Sequence, residues 1–170
     1  MGAQDKMVTR FAAVRVFVML MTFRLLVGFI IAVWSPYSIL SMHPGRPFLD
    51  FIPLSIAGLL LVATGTAGYL WCAWDFASIG LSFGPPMLVA RGVYGLVRHP
   101  MYFSLLLMLI GESLLFKSWR VFGYACVLAL LSHAFVMIYE EPSMVKRWGA
   151  AYLQYSKEVP RWLPRLRRRS

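Results

Sequence analysis

Apolar residues in this chain fall in long unbroken runs, not in the spaced stripes of a soluble helix. The first run covers 11–33, and the loop-forming Pro36, Pro44, Gly45 and Pro47 make 35–50 an expected loop. The second, 51–74, carries Gly58, Gly65 and Gly68 among Ala57, Ala63 and Ala67, small residues that let helices approach closely. A longer break, 75–98, holds Gly84-Pro85-Pro86 and Gly92-Val93-Tyr94-Gly95. The third run, 100–116, opens on Pro100, where a helix start loses no hydrogen bond. A tight turn at 117–120 leads into the fourth, 119–140, which closes on Glu140-Glu141-Pro142. The pattern predicts an all-α integral membrane protein of one domain, 1–170, with about four transmembrane helices.

Beyond Pro142 the period changes. Met144, Trp148, Tyr152 and Tyr155 recur at helical spacing, opposite Lys146, Arg147 and Lys157. This predicts an interfacial amphipathic helix over 143–156, aromatics inward, within a 142–170 segment that covers the ends of the spans. Val159-Pro160-Arg161-Trp162-Leu163-Pro164 then ends helicity, and a basic tail follows.

Composition agrees: 59% of residues are hydrophobic, 14% are charged and the mean hydropathy is +0.67. A net charge of +10 could signal nucleic acid, but eight of the 17 Lys and Arg residues lie after Pro142, beside the spans. There they set topology or meet anionic lipid, so no nucleic-acid partner is expected. With four spans, twelve basic residues share the side of the two termini and the 75–98 loop, against three opposite. Both termini are therefore expected in the cytoplasm, and the small size and charge bias suggest a prokaryotic inner membrane. Cys72 and Cys126 sit inside apolar runs as small hydrophobes, and no metal-ligand spacing is present.

Charge inside the spans is informative. Arg24 and Glu112 are expected at similar depth on the first and third spans and would pair, since each alone is costly in lipid. His133 reads as a packed or hydrogen-bonded histidine. The third and fourth spans form a hairpin, and equal lengths measured from its turn set Arg98 and His99 opposite residues near 138–141. Arg98, His99, Tyr102, Glu140 and Glu141 should then converge at one mouth of the bundle. A polar cluster of this kind can be a mere ion-pair cap or a binding site.

These residues carry a resemblance. Gly92 to Tyr102 resembles the G-x-Y-x-x-x-R-H-P-x-Y motif of the isoprenylcysteine carboxyl methyltransferase family, which is related to the phospholipid methyltransferases. Glu140-Glu141, Trp148-Gly149, Tyr152, Tyr155 and Val159 to Pro164 resemble that family's C-terminal motif, with Trp148 where Phe is usual and a short 75–89 segment. The resemblance implies an S-adenosylmethionine-dependent membrane methyltransferase. Its cofactor would be held by His99, Tyr102, Tyr94, Glu140, Glu141, Tyr152 and Tyr155, with His99, Arg98 and Arg161 as catalytic candidates. Arg98 or Arg161 would pair with a carboxylate of cofactor or acceptor. The acceptor would be lipid-like: a prenylcysteine carboxylate, a phospholipid amine or a small apolar thiol. No G-x-G-x-x-G follows a strand, consistent with a cofactor site unlike the dinucleotide fold. Two alternatives stay open from sequence: a non-enzymatic membrane scaffold with structural ion pairs, and an enzyme resembling the sterol reductases.

Overall fold

The computed structural model describes residues 14–15, 18–19, 21–23, 25–42, 51–80 and 92–163, and for 76–80 the backbone alone. Among these residues the secondary structure is helical, with no β-strand. The helices are α1 (Met21–Met42), α2 (Ile52–Gly80), α3 (Pro100–Leu115), α4 (Trp119–Trp148) and α5 (Ala150–Glu158), with a 3-10 turn at Gly92–Gly95 before α3. Three of them, α1, α2 and α4, are long and apolar enough to cross a membrane. The third expected span is the exception: α3 has 16 residues, about 24 Å at helical rise.

Close backbone contact joins α2 to α3. A Cβ on Gly58 would stand 2.7 Å from the Gly111 carbonyl oxygen, and one on Gly65 would stand 2.8 Å from that of Ser104. The small residues of the second run therefore do what their size allows, with Gly111 as their counterpart on α3. Ala32 of α1, Tyr69 of α2 and Leu105 and Met108 of α3 form a buried core beside this seam. Eight residues of α3 are buried, so its short length is shielded by protein.

The hairpin turn is built as expected. Lys117 takes a positive φ of 53°, and Ser118 caps α4, its Oγ accepting from the Val121 N–H at 3.4 Å.

Helix boundaries differ from the sequence reading in three places. The first helix runs through Ser35 and Pro36 to Met42, where a loop was expected. A π turn, Ile30–Trp34, precedes the proline, and the Ser35 N–H bonds the Ile30 carbonyl five residues back. In that register the next bond would come from residue 36 to Ile31, but proline has no N–H. The Tyr124 hydroxyl of α4 donates to the Ile31 carbonyl instead, at 3.2 Å. The second helix likewise passes Asp75 and continues to Gly80.

The fourth helix crosses Glu140-Glu141-Pro142 by the same device. A π turn at Val136–Glu140 lets the Glu141 N–H bond the Val136 carbonyl, and Pro142 falls in the first turn of the next α segment, Glu141–Trp148. The helix expected over 143–156 is consequently split. Its first part extends α4 to Trp148, Gly149 turns the chain with φ 52°, and α5 follows. The aromatic face does turn inward: Tyr152, Tyr155 and Val159 are buried, with Met144, Val145 and Trp148 against them. The expected Arg24–Glu112 pair cannot be followed, because Arg24 lies outside the described residues. Glu112 is buried, and its Oε2 has no hydrogen-bond partner.

Candidate functional site

Three segments meet at the N-terminus of α3: the Gly92–His99 approach, the π turn of α4, and the strap Val159–Trp162 that follows α5. Gly92 starts the approach with φ 60°, and a Cβ there would collide with the Asp75 carboxylate on α2. Only glycine meets both demands. The Arg98 N–H donates to the Pro160 carbonyl at 2.9 Å, and the Tyr155 hydroxyl donates to the Tyr94 carbonyl at 2.6 Å. These two bonds sew the strap and α5 to the approach.

Glu141 is the electrostatic centre. Arg161 grips it with two bonds, Nε to Oε1 at 2.8 Å and Nη2 to Oε2 at 2.7 Å. Arg98 adds a third, Nη1 to Oε1 at 2.9 Å. A bidentate guanidinium pair is the strong form of this contact, and here both partners are largely shielded from water. Those hydrogen bonds to Glu141 push Arg161 above its ordinary pKa range. Both arginines thus pair with the protein's own Glu141.

His99 lies between the two acids. It caps α3 and is 5% exposed, with Nδ1 3.6 Å from Glu140 Oε1 and Nε2 3.5 Å from Glu141 Oε1. Its ring packs on Tyr102 at 6.1 Å and on Trp162 at 5.7 Å between centroids. The hairpin reasoning is realised: Arg98, His99, Tyr102, Glu140 and Glu141 converge. The Tyr152 and Tyr155 rings pack against each other in a tilted arrangement, 6.0 Å between centroids. Burial, then the neighbouring Tyr152, pushes the Tyr155 hydroxyl up to about 12; burial, then the Glu141 charge, raises Tyr152.

Four buried polar atoms of this cluster have no hydrogen-bond partner: Arg98 Nε, His99 Nε2, Glu140 Oε2 and Tyr152 Oη. Unmet groups are rare in a protein interior; Arg98 and Tyr152 interact with each other, which leaves Glu140 Oε2 as the clearest open position of this candidate site. Glu141 is consumed by its arginines; Glu140 keeps a free oxygen.

Sequence reasoning missed Trp162 and its tie to His133, where Trp162 Nε1–H donates to His133 Nδ1 at 3.1 Å. The partners are 29 residues apart across an irregular segment, and no periodicity connects them. It also left Asp75 in a loop, although the requirement for Gly92 hints at a close neighbour.

Comparison with known proteins reaches the same region. The phospholipid methyltransferase family profile matches residues 54–151, from α2 through α4 into α5. The cobalt-zinc-cadmium resistance protein CzcN of Cupriavidus metallidurans (strain ATCC 43123 / DSM 2839 / NBRC 102507 / CH34) is 31% identical over 116 residues, which is 64% of this chain and 48% of that protein. The nickel-cobalt-cadmium resistance protein NccN of Alcaligenes xylosoxydans xylosoxydans is 29% identical over 118 residues, or 66% of this chain and 51% of that protein. The chain spans about half the length of these curated relatives.

Proposed function

The chain belongs to the phospholipid methyltransferase family, and from that premise we propose that it moves a methyl group from S-adenosylmethionine to a lipid-like acceptor at the cytoplasmic mouth of a four-span bundle. The observation that carries this is the convergence of the Arg98-His99 approach, the Glu140-Glu141 turn and the C-terminal strap around unmet polar atoms.

The donor set suits this cofactor. Glu140 Oε2 is an acceptor for an ammonium or ribose hydroxyls, and its charge favours a nearby sulfonium. Arg98 Nε is a donor for a carboxylate, while Tyr152 Oη and His99 Nε2 serve polar edges. When bound, S-adenosylmethionine supplies an activated methyl on a sulfur that leaves neutral. The protein's part is to hold the acceptor in line and dry, which the buried position of His99 favours. A carboxylate acceptor needs no base. An amine or thiol needs a base, and His99 is the candidate.

The names of the two relatives favour a second, compatible reading at the level of the cell: a part in tolerance of divalent metals. Methyl esterification of an anionic headgroup would neutralise its charge and weaken its oxygens as ligands for such cations.

The decisive experiment is binding of S-adenosylmethionine and S-adenosylhomocysteine to the purified protein in lipid nanodiscs. Saturable binding is expected, reduced at least tenfold by Glu140→Gln and by His99→Ala. Well-folded protein that binds neither compound overturns the proposal and leaves the cluster as a helix cap.

A further inference from the structure

His133 lies on the apolar part of α4, two turns and about 10 Å before Glu140. It is exposed, on a helix whose exposed face meets lipid. A polar side chain in such a place is costly and calls for a partner. One ring nitrogen has its partner, since Nδ1 accepts from Trp162. Indole N–H can only donate, so the accepting Nδ1 carries no proton and the neutral ring must carry it on Nε2. The bond therefore fixes His133 as a hydrogen-bond donor at the lipid-facing surface.

Its surroundings are those of an amphipathic ligand. Leu130 and Met137 flank His133 at helical spacing, and Leu163 follows Trp162; these are 72%, 48% and 69% exposed. On the other side the Trp162 ring lies 6.0 Å from His133 and 5.7 Å from buried His99. A continuous row of rings thus runs from the lipid face to the polar cluster. Trp162 is itself placed by the strap, through Arg161 on Glu141 and Pro160 on the Arg98 N–H.

We propose that His133 and Trp162 form the acceptor port: the His133 Nε2–H binds an oxygen of a lipid acceptor's headgroup, its chain lies along Leu130, Met137 and Leu163, and Trp162 sets the tautomer. This rests on the methyltransferase reading, whose site it supplies with an acceptor class: a lipid whose phosphate, carboxylate or carbonyl oxygen adjoins its apolar chain. Trp162 is a positioning residue, acting through His133.

The full chain is tested in phosphatidylcholine nanodiscs. Nitrogen NMR of 15N-histidine protein, with the three histidines separated by His43→Asn and His133→Asn, should show His133 as the Nε2–H tautomer, and as a tautomer mixture in Trp162→Phe. An Nδ1–H tautomer, or a mixture in the unmodified protein, overturns the proposal. Photolabelling then uses phosphatidylethanolamine and palmitic acid, each with a mid-chain diazirine. Labelling at 130–137 relative to Leu59-Leu60 should fall at least fivefold in His133→Phe and recover to within twofold in His133→Gln. S-adenosylhomocysteine affinity should stay within twofold in the His133 variants. Unchanged labelling in His133→Phe overturns the port while leaving the methyltransferase reading intact. The expected loss of labelling in a protein that never binds S-adenosylhomocysteine keeps the port and removes that reading.

Discussion

The two π turns are the same device put to different ends. Each precedes a proline by two residues, and each lets a helix pass a residue that ordinarily stops it. At Ile30–Trp34 the result is structural: Tyr124 satisfies the stranded Ile31 carbonyl, tying α1 to α4. At Val136–Glu140 the altered register turns two successive acids toward one histidine, Glu140 to Nδ1 and Glu141 to Nε2. Adjacent residues of a regular helix point about 100° apart, so a local change of winding helps both reach His99. The difference teaches that the proline is not the functional element. The side chains on the turn decide whether it becomes a joint or a candidate site.

The largest test of this contrast is Glu141→Ala. It leaves two shielded guanidiniums without their carboxylate, and about 3 kcal/mol of stability should be lost. Thermal unfolding in detergent checks the loss, and limited proteolysis should show the strap released. Next comes Pro142→Ala, which restores an N–H and relaxes the second turn toward regular helix. S-adenosylhomocysteine affinity should fall about tenfold, equal to about 1.4 kcal/mol, measured by calorimetry. Pro36→Ala at the other turn should leave that affinity unchanged. A fall of equal size at Pro36 would erase the distinction between joint and site.

Tyr155→Phe probes the sewing of α5 to the approach and should cost about 1 kcal/mol. The sign of its pH dependence follows from the raised pKa. The folded state holds the phenol proton up to about 12, while an unfolded tyrosine releases it near 10. Stability from Tyr155 is therefore full below pH 10 and lost as pH rises toward 12. Melting curves between pH 9 and 11.5 should converge for the two proteins. The smallest effect belongs to the first turn: Tyr124→Phe should cost about 0.5 kcal/mol, and less in a Pro36→Ala background, where a backbone N–H can serve Ile31. A double-mutant cycle reads the difference.

What was legible in the sequence follows from which forces are periodic. Long apolar runs showed α1, α2 and α4, and small residues marked α2 for close helix packing, which the structure gives to α3. The hairpin register brought Arg98 and His99 to Glu140 and Glu141 by counting alone. Proline misled in both helices, because its missing N–H reads as a stop when a side-chain donor or π register can absorb it. Glu141's partners were also hard to read. Pairing two arginines with one internal acid depends on how the strap returns, and Val159–Trp162 has no repeat to reveal it. His133 gave a signal as a polar residue in an apolar run, but Trp162 gave none.

The shortness of α3 bears on how a substrate arrives. At about 24 Å it is shorter than the roughly 30 Å hydrocarbon layer, and protein on its flanks removes the need to match that layer. In the proposed four-span arrangement, the histidine at its tip would lie below the level of the phosphates, in a basin within the leaflet. An acceptor that remained at the surface of a flush site would have to lift its tail toward water, at about 0.8 kcal/mol for each methylene exposed. A recessed reaction centre would spare that extraction: the proposed lipid acceptor would slide sideways at its own depth, and the barrier to loading would become one of lateral diffusion and fit.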